Sequence, residues 1–366
     1  AVVLTGANGA GKTNLLEAIS LLAPGRGLRR ARLADLCRRD AAAKVGQSGQ
    51  SGQKWAVSAR LMGPFGPVDV GTGVDSVLSV ADQENAEEVG QAERRVVRIN
   101  GRSVRGPAAL AEVATVRWLT PAMDRIFNDS AAGRRRFLDH LASGLEPAHA
   151  TRVSAYERTM RQRSKVLREP GWDSRWVMAL EVKLAELGTA IAAQRLDYIA
   201  RLGVVMAEGG SPASGATIAV QGDVEEWLEA GPAIEAETRF REALSQGRDR
   251  DAAVGGASTG PHRSDLELVH AGGMPAAQCS TGEQKTLLFA IVEADARLVA
   301  TAGRSPLLLL DEVSAHLDEE RRANMFDAAL GIGAQVWATG TDRALFEGLE
   351  GRAQFFVVGD GHVVAE

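Results

Sequence analysis

The sequence predicts an α/β fold in which a helical lobe is inserted between two α/β parts. Three observations lead to this prediction. A short apolar run, residues 1–4, is followed by a glycine-rich loop and then by apolar residues at helical spacing. A second apolar run, residues 305–310, ends directly before two acidic residues. Between these α/β parts, much of the chain from about residue 107 to 208 has a helical pattern.

The glycine-rich loop fits the phosphate-binding pattern G-x-x-x-x-G-K-[ST], and it lies between a strand and a helix as that pattern requires. Glycines let backbone N–H groups converge on phosphate oxygens, and the N-terminus of the next helix adds partial positive charge. We expect Lys12 to reach the β- and γ-phosphates and the Thr13 hydroxyl to hold Mg²⁺. The sequence therefore predicts a site for a nucleoside triphosphate. Its predicted contacts are Gly6, Ala7, Asn8, Gly9, Ala10, Gly11, Lys12, Thr13 and Asn14.

Composition restricts the class of protein. The chain has 366 residues, of which 45% are apolar and 24% charged, as is usual for globular proteins. No apolar run approaches the roughly 20 residues of a membrane-spanning helix, and Cys37 and Cys279 lack metal-ligand spacing. These features predict a cytoplasmic protein. Because the phosphate loop starts at residue 6 and there is no initiator Met, we expect further strands to precede this sequence.

The run at 307–312 has the Walker B pattern, four leucines followed by Asp311 and Glu312. A buried strand would deliver both carboxylates to the phosphate site. We expect Asp311 to hold Mg²⁺, directly or through water, and Glu312 to act as a general base on the attacking water. Ionised carboxylates at the end of a buried strand are costly unless a metal compensates for them, so a purely structural role is disfavoured.

The first part of the chain also predicts an antiparallel β layer. Strand-like segments lie at 55–62, 76–80 and 94–99, and Asn100-Gly101 is typical of a type I′ turn. Further along, the pattern predicts helical segments broken near Pro147 and Pro170, a strand at 217–220, a helix at 233–245, a mobile stretch at 247–256, and strands at 334–338 and 354–358. The predicted division is 1–106, 107–256 and 257–366.

Positive charge is concentrated in the helical lobe. Residues 134–168 contain nine Lys or Arg and three Asp or Glu. Steps of three and four residues would place many of these cations on one helix face. Such a face is either simply solvated or a nucleic-acid footprint, and phosphate contacts alone do not separate DNA from RNA. The predicted DNA contacts are Arg134, Arg135, Arg136, Arg158, Arg161 and Lys165.

Residues 279–285 resemble the signature motif of the ABC ATPases, in the form S-x-G-E-Q, at the start of a helix. Residues 314–318 resemble the D-loop of that family. The resemblance implies that the signature of one subunit faces the γ-phosphate bound by another, in an ATP-induced head-to-tail homodimer. Its implied cofactor-binding residues are Ser280, Gly282, Glu283 and Gln284.

Other segments resemble the RecF family of bacterial recombination mediators. They are 6–18, Pro121, 134–139, 259–263 and 280–286, with Tyr156, Gln162, Arg163, Trp176, Gly188, Arg195 and Tyr198. The resemblance implies a P-loop ABC-type ATPase head with a helical lobe, no long coiled coil, and slow ATP hydrolysis. It also implies binding to DNA at gaps and at junctions of single and double strands. The implied partners are RecR and RecO, in loading RecA and in the SOS response.

The chain departs from this family in places. Pro121-Ala122-Met123 stands where Pro-Glu-Asp is frequent, and no switch His follows the strand at 334–338, where Thr339, Thr341 and Asp342 are the candidate γ-phosphate sensors. Two other functions remain open at this point. One is the ATPase subunit of a membrane transporter, which the long insertion and its cations disfavour. The other is an adaptor with a vestigial ATPase, which the intact Walker B carboxylates disfavour.

Overall fold

The computed structural model describes residues 1–37, 55–63, 66–75, 94–208, 215–312, 319–359 and 361–366. Contacts divide this part of the chain into two compact units. The head unit combines Ala1–Thr120 with Gly303–Glu366, and the helical unit is Pro121–Ala302. Residues 257–302 thus group with the helical unit, so these boundaries differ from those predicted at 106/107 and 256/257. The functional division predicted from the sequence stays a prediction.

Strands and helices are numbered in chain order. The strands are β1 (Val2–Thr5), β2 (Ala56–Gly63), β3 (Gly66–Asp75), β4 (Arg94–Ile99), β5 (Arg102–Val104), β6 (Val116–Leu119), β7 (Thr217–Gln221), β8 (Asp265–Val269), β9 (Leu307–Asp311), β10 (Gln335–Gly340), β11 (Gln354–Gly359) and β12 (His362–Ala365). The helices are α1 (Lys12–Ser20), α2 (Ala131–Leu145), α3 (Ala148–Leu167), α4 (Ser174–Glu208), α5 (Asp223–Ala230), α6 (Ala233–Gln246), α7 (Arg248–Val254), α8 (Thr281–Thr301) and α9 (Glu319–Gly331).

The main sheet of the head unit has the strand order β12-β11-β1-β10-β9-β6. All neighbours are parallel except β11 and β12, which pair antiparallel. All four residues of β1 and the last four of β9 are buried, because parallel strands covered on both faces need continuous apolar runs. Leu4, Leu16 and Leu309 share one core cluster. The carboxyl ends of β1, β9 and β10 therefore meet at one edge of the sheet.

A second, antiparallel sheet of the head unit has the order β2-β3-β4-β5. In β2, intermediate and exposed residues alternate, as expected for a strand with one covered face. Asn100 and Gly101 both have positive φ, 48° and 77°, which confirms the predicted hairpin turn. The strands predicted at 55–62 and 94–99 are confirmed as β2 and β4, whereas the strand predicted at 76–80 lies outside the described residues.

The helical unit packs α3 and α6 against α4, around Tyr156, Leu184, Phe240 and Leu244. A Cβ at Gly188 would come 2.5 Å from the Phe240 ring, so α4 needs glycine at this crossing. Helix α4, with 35 residues, is the longest in the described part of the chain, in agreement with the absence of a long coiled coil. The breaks predicted near Pro147 and Pro170 are confirmed.

The prediction of a mobile stretch at 247–256 is wrong, because this segment contains α7, and its Asp251 is buried. The remaining strands and the helix at 233–245 are confirmed within one or two residues. The fold class predicted from the sequence is therefore confirmed. No helix among the described residues is both long and apolar enough to cross a membrane.

Candidate nucleotide-binding site

The phosphate loop joins β1 to α1 in the head unit. Gly6, Gly9 and Gly11 have φ angles of 144°, 82° and 106°, which side chains rarely adopt. A Cβ at Gly6 would lie 2.3 Å from the Val358 carbonyl oxygen, so only glycine fits there. Helix α1 begins without a side-chain cap, which leaves its first N–H groups for an anion. The loop thus has the backbone geometry that phosphate binding requires.

Lys12 is 4% exposed, and its side chain folds back over the loop. Its Nζ donates to the carbonyl oxygens of Gly6 and Ala7, at 2.7 and 2.9 Å. An ammonium group has three N–H donors, so one remains for a phosphate oxygen. The two loop bonds fix the position of the charge before any ligand arrives.

Asp311, at the end of β9, accepts two hydroxyl hydrogen bonds on one oxygen. Thr13 Oγ1 and Thr339 Oγ1 each donate to Asp311 Oδ1, at 2.9 Å. The parallel register of β9 and β10 places Thr339 beside Asp311. The predicted pair of Thr13 and Asp311 is therefore brought together, and Thr339 joins it. The hydroxyl proton of Thr339 is directed at Asp311 in this structure.

Thr13 and Asp311 supply a hydroxyl and a carboxylate oxygen, the hard ligands that Mg²⁺ prefers. In P-loop sites, one or two protein ligands suffice, since phosphate oxygens and waters complete the octahedron. This donor set fits Mg²⁺. The described residues contain no group of three or more His, Cys, Asp or Glu that could hold a metal by themselves.

Glu312 follows Asp311 with φ 52°, in the left-handed region that residues other than glycine seldom adopt. Its backbone N–H donates to Thr339 Oγ1 at 3.0 Å. This bond holds the strained backbone in place, and strain of this kind is concentrated at functional sites. Of the other candidate sensors, Asp342 accepts from the Ala344 N–H and caps the 3₁₀ segment Arg343–Leu349.

Glu17 is a site-related residue that the sequence analysis missed. Its side chain is 7% exposed and lies 3.5 Å from Arg29 Nη1, which also donates to Asn14 Oδ1 at 2.8 Å. The second carboxylate oxygen, Oε1, is buried without a hydrogen-bond partner. Burial raises the pKa of Glu17, Arg29 opposes that rise, and the charge of Asp311 adds to it. Only the apolar spacing of α1, which turns its fifth and sixth residues inward, could have indicated this burial.

The signature segment belongs to the helical unit, where Ser280 caps α8. The Glu283 N–H donates to Ser280 Oγ at 3.3 Å, and Glu283 Oε2 accepts from the Ser280 N–H and hydroxyl, at 2.8 and 2.7 Å. These hydrogen bonds from Ser280 lower the pKa of Glu283. Gln284 is turned inward, since it donates to the Cys279 carbonyl and accepts from Asn128. Gln284 therefore positions the helix start, whereas Ser280 and Glu283 are exposed at it. The predicted D-loop, 314–318, lies outside the described residues.

The predicted DNA contacts fall into two groups. Arg134 forms a 2.6 Å ion pair with Asp265, and Arg135 donates to the Ser264 carbonyl at 2.6 Å, so both tie α2 to the segment that begins β8. DNA contact by these two residues remains a prediction that their bonds within the unit do not favour. The other four side chains are exposed: Arg136, Arg158, Arg161 and Lys165.

Two arginines in the same unit are buried with matching acids, and we call this set the charged core. Arg163 pairs with Glu181 and Asp251, at 3.0 and 2.8 Å. Arg195 binds Asp139 through two hydrogen bonds of 2.9 Å. Burial by itself would raise the pKa of Asp139, but the Arg195 charge and hydrogen bonds from His149 and Arg195 hold it far below its usual range. These motif residues are structural.

Comparison with known proteins agrees with this geometry. The family model described as RecF/RecN/SMC N terminal domain matches residues 1–347. The DNA replication and repair protein RecF of Mesorhizobium japonicum is 47% identical over 367 residues, covering 99% of this chain and 91% of the relative. RecF of Rhizobium meliloti is 44% identical, covering 99% and 92%.

Two solved structures share the fold. One is described as the recombination mediator protein RecF-ATP in the RecFOR pathway, with a TM-score of 0.80 and 21% identity, covering 100% of this chain and 91% of that one. The other, RecF-ATPrS of the same pathway, has a TM-score of 0.79 and 22% identity, covering 99% and 91%. At these identities the structural likeness concerns the fold alone.

Proposed function

Because the chain belongs to the RecF family, we propose that it is an ATP-switched DNA-binding protein of recombinational repair and replication. The observation that carries the proposal is the cluster at Asp311, where Thr13 and Thr339 converge beside the phosphate loop. A carboxylate buried at a strand end is costly unless a cation compensates for its charge, which supports binding of a metal–nucleotide complex here. RecF relatives are described as DNA replication and repair proteins, which gives the switch its context.

In the proposed site, the loop N–H groups and Lys12 bind the triphosphate of ATP, and the α1 N-terminus adds its partial charge. Thr13 and Asp311 hold Mg²⁺, which, when bound, neutralises charge on the β- and γ-phosphates. Thr339 keeps Asp311 oriented through its hydroxyl. Each of these groups acts on the negative charge of the bound phosphates.

Hydrolysis would begin when Glu312 accepts a proton from the attacking water. Its backbone N–H is bound to Thr339, so the carboxylate starts from a fixed point just after β9. Lys12 remains on the phosphate oxygens, where it stabilises the charge of the transition state. We propose slow turnover, in which hydrolysis serves to end the ATP-bound state.

The proposed switch is a homodimer formed in the presence of ATP. The N-terminus of α8, with Ser280 and Glu283 exposed, is suited to a γ-phosphate held by a second copy of the chain. The Ser280 hydroxyl, which donates to Glu283, would turn to that phosphate on closure. Dimerisation would then depend on ATP because the phosphate itself is part of the interface.

The closed dimer would bind DNA at gaps and at junctions of single and double strands. Exposed cations on α2 and α3 supply phosphate contacts, which position the protein without reading sequence. The solved RecF structures are described as part of the RecFOR pathway, which supports RecO and RecR as partners. By family resemblance, the proposed outcome is loading of RecA and support of the SOS response.

The test is the fluorescence anisotropy of a gapped duplex titrated with the protein in Mg-ATP and in Mg-ADP, at one salt concentration. We expect tight binding in ATP, its loss in ADP, and no ATP-dependent binding or dimer for Lys12→Met. Glu312→Gln should hold the ATP-bound dimer. The matched control is Lys183→Met, which removes an exposed lysine paired with Glu186. Equal binding in both nucleotides, or ATP-induced dimers of Lys12→Met, would overturn the switch.

A further inference from the structure

An open pocket of about 590 Å³ lies in the helical unit, between the second half of α3 and residues 255–263. We call it the α3 pocket. Its volume is within the range of pockets that bind small ligands. Met160 and Ala257 contribute apolar surface. Its cations are Arg161, Lys165, Arg168 and Arg263.

The cations of the α3 pocket outnumber its acids, since Glu169 is the only carboxylate among its described lining residues. Arg263 donates to the Ala257 carbonyl through two N–H groups, at 3.2 and 3.1 Å, and Arg168 donates to the Gly255 carbonyl at 3.3 Å. A guanidinium has five N–H donors, so both keep several for a ligand. Of the four cations, Arg161 is also paired with an acid that does not line the pocket, Glu157, at 3.8 Å. A multiply charged anion fits this environment.

His262 gives the α3 pocket a neutral ring. Its Nε2 donates to the Ala257 carbonyl at 2.9 Å, and its Nδ1 accepts from the Tyr156 hydroxyl at 2.9 Å. Burial lowers the pKa of His262 to about 4, so the ring carries no charge near neutral pH. The positive potential therefore comes from the side chains of the rim, and the ring and Met160 leave surface for an uncharged group of the ligand.

The positive face continues beyond the α3 pocket. Arg158, which does not line it, is exposed on α3 and begins the row that leads to Arg168. Ten residues of helix span about 15 Å. A free nucleotide would occupy the pocket and leave the rest of the row unused, whereas a strand with successive phosphates would use both.

We infer that the α3 pocket binds an unstacked nucleotide of a DNA strand, with its phosphates on the cationic rim and its sugar or base on the apolar surface. The inference rests on the proposed DNA binding and adds to it a defined site on single-stranded DNA. It differs from general attraction to phosphates because occupation depends on the space within the pocket as well as on its charge.

Two glycine variants separate space from charge. A Cβ at Gly256, which lines the α3 pocket, would meet no atom within 4 Å, and the backbone there is not left-handed. Gly256→Phe should therefore fill the pocket without removing a cation. Gly203, on α4, has the same freedom but does not line the pocket, so Gly203→Phe is the matched control. Both variants should bind ATP like the unmodified protein.

The probe is a fluorescent thymidine oligonucleotide of about 12 residues, titrated with the full chain in Mg-ATP at fixed salt. We expect Gly256→Phe to weaken binding about tenfold, the value of one stacked base, and Gly203→Phe to leave it unchanged. Lys165→Ala should also weaken binding and lower the salt slope by about one. Equal affinities of the two glycine variants would overturn the inference.

Two further measurements distinguish a failure of the strand-binding site from a failure of the proposed function. Free thymidine monophosphate, added as a competitor, should displace the oligonucleotide only at much higher concentration; displacement at equal concentration would assign the pocket to free nucleotides and overturn the strand. The affinity for a gapped duplex, measured in ATP and in ADP, tests the proposed switch separately. Normal switching with equal glycine variants would remove the α3 pocket as a site and leave the proposed function in place.

Discussion

The phosphate loop of the head unit and the charged core of the helical unit both bury cationic side chains, with different results. In the core, Arg163 meets two carboxylates and a carbonyl, and all three partners are nearly inaccessible to solvent. In the loop, the partners of Lys12 among the described residues are carbonyl oxygens, and nearby Glu17 keeps one buried oxygen without a hydrogen bond. One region matches its charges internally, and the other keeps bonding capacity for a ligand.

This difference shows what a motif of charged residues means. Both regions contain residues that resemble the RecF family, so the resemblance alone does not separate residues that bind a ligand from residues that stabilise the fold. Burial with an opposite charge points to stability, because removing one partner strands the other. Burial without an opposite charge is costly and points to binding, because the ligand supplies the missing charge.

The first prediction concerns Arg163→Ala, which removes the cation that buried Asp251 and Glu181 share and leaves Glu181 with Arg248 alone. Breaking such a pair costs about 3–5 kcal/mol, so the free energy of unfolding should fall by that amount. Urea denaturation followed by circular dichroism measures it. Arg161→Ala is the control, because Arg161 is an exposed cation of the same helix. A change as small as that of the control would show that the charged core does not support the unit.

How much of the fold could be predicted from the sequence depends on how far apart in the chain the interacting residues lie. Parallel strands were predictable because they are continuous apolar runs. Strand β3 was missed because Gly66, Gly71 and Gly73 interrupt its alternation. Helix α7 was mistaken for a mobile stretch because glycines flank it, yet its Asp251 pairs with Arg163, 88 residues earlier. Partners so distant in sequence leave no local pattern.

The residues of the candidate site also divide into those that local motifs predict and those that depend on distant partners. Lys12, Thr13 and Asp311 were predictable because their motifs fix local geometry and parallel strands end at one edge. The support that Thr339 gives depends on the register of β9 and β10, which no motif encodes. Likewise, the charge of Arg134 suggested DNA, whereas its partner Asp265 lies 131 residues away. Composition gives the number of cations and not which of them are already paired.

The second prediction is a smaller effect, in the head unit. Thr339→Val keeps the shape of the side chain but removes the hydrogen bond to Asp311 and the acceptor of the Glu312 N–H. Losing such bonds costs about 1–3 kcal/mol, so ATP hydrolysis should slow by about tenfold to a hundredfold. Lys12 and the loop are unchanged, so ATP affinity should change little.

Single-turnover hydrolysis of labelled ATP, with nucleotide binding measured in parallel, tests Thr339→Val. Thr151→Val is the control, because Thr151 is exposed on α3 in the helical unit, outside the nucleotide site. An unchanged hydrolysis rate would mean that Thr339 does not support the catalytic carboxylates. If ATP binding is lost but bound ATP is hydrolysed at the usual rate, Thr339 contributes to nucleotide binding and not to catalysis.

The third prediction is the smallest and has the opposite sign. A raised pKa means that folded Glu17 holds its proton more tightly than the unfolded chain, whose carboxyl titrates near 4.5. Stability therefore falls as the pH rises from about that value through the folded pKa, and above it the ionised group is a net cost. Glu17→Gln should remove this cost and therefore raise the free energy of unfolding at pH 7.

Urea denaturation of Glu17→Gln at pH 4 and pH 7 measures the sign, with the exposed Glu186→Gln as control. The gain should vanish at the lower pH, because Glu17 is then largely protonated in both states. A gain would place Glu17 with Lys12, among groups kept at the nucleotide site despite their cost to the fold. A loss as large as that of Arg163→Ala would instead make Glu17 and Arg29 a structural pair. The two regions would then both contain paired charges that stabilise the fold, and they would differ only in where they lie.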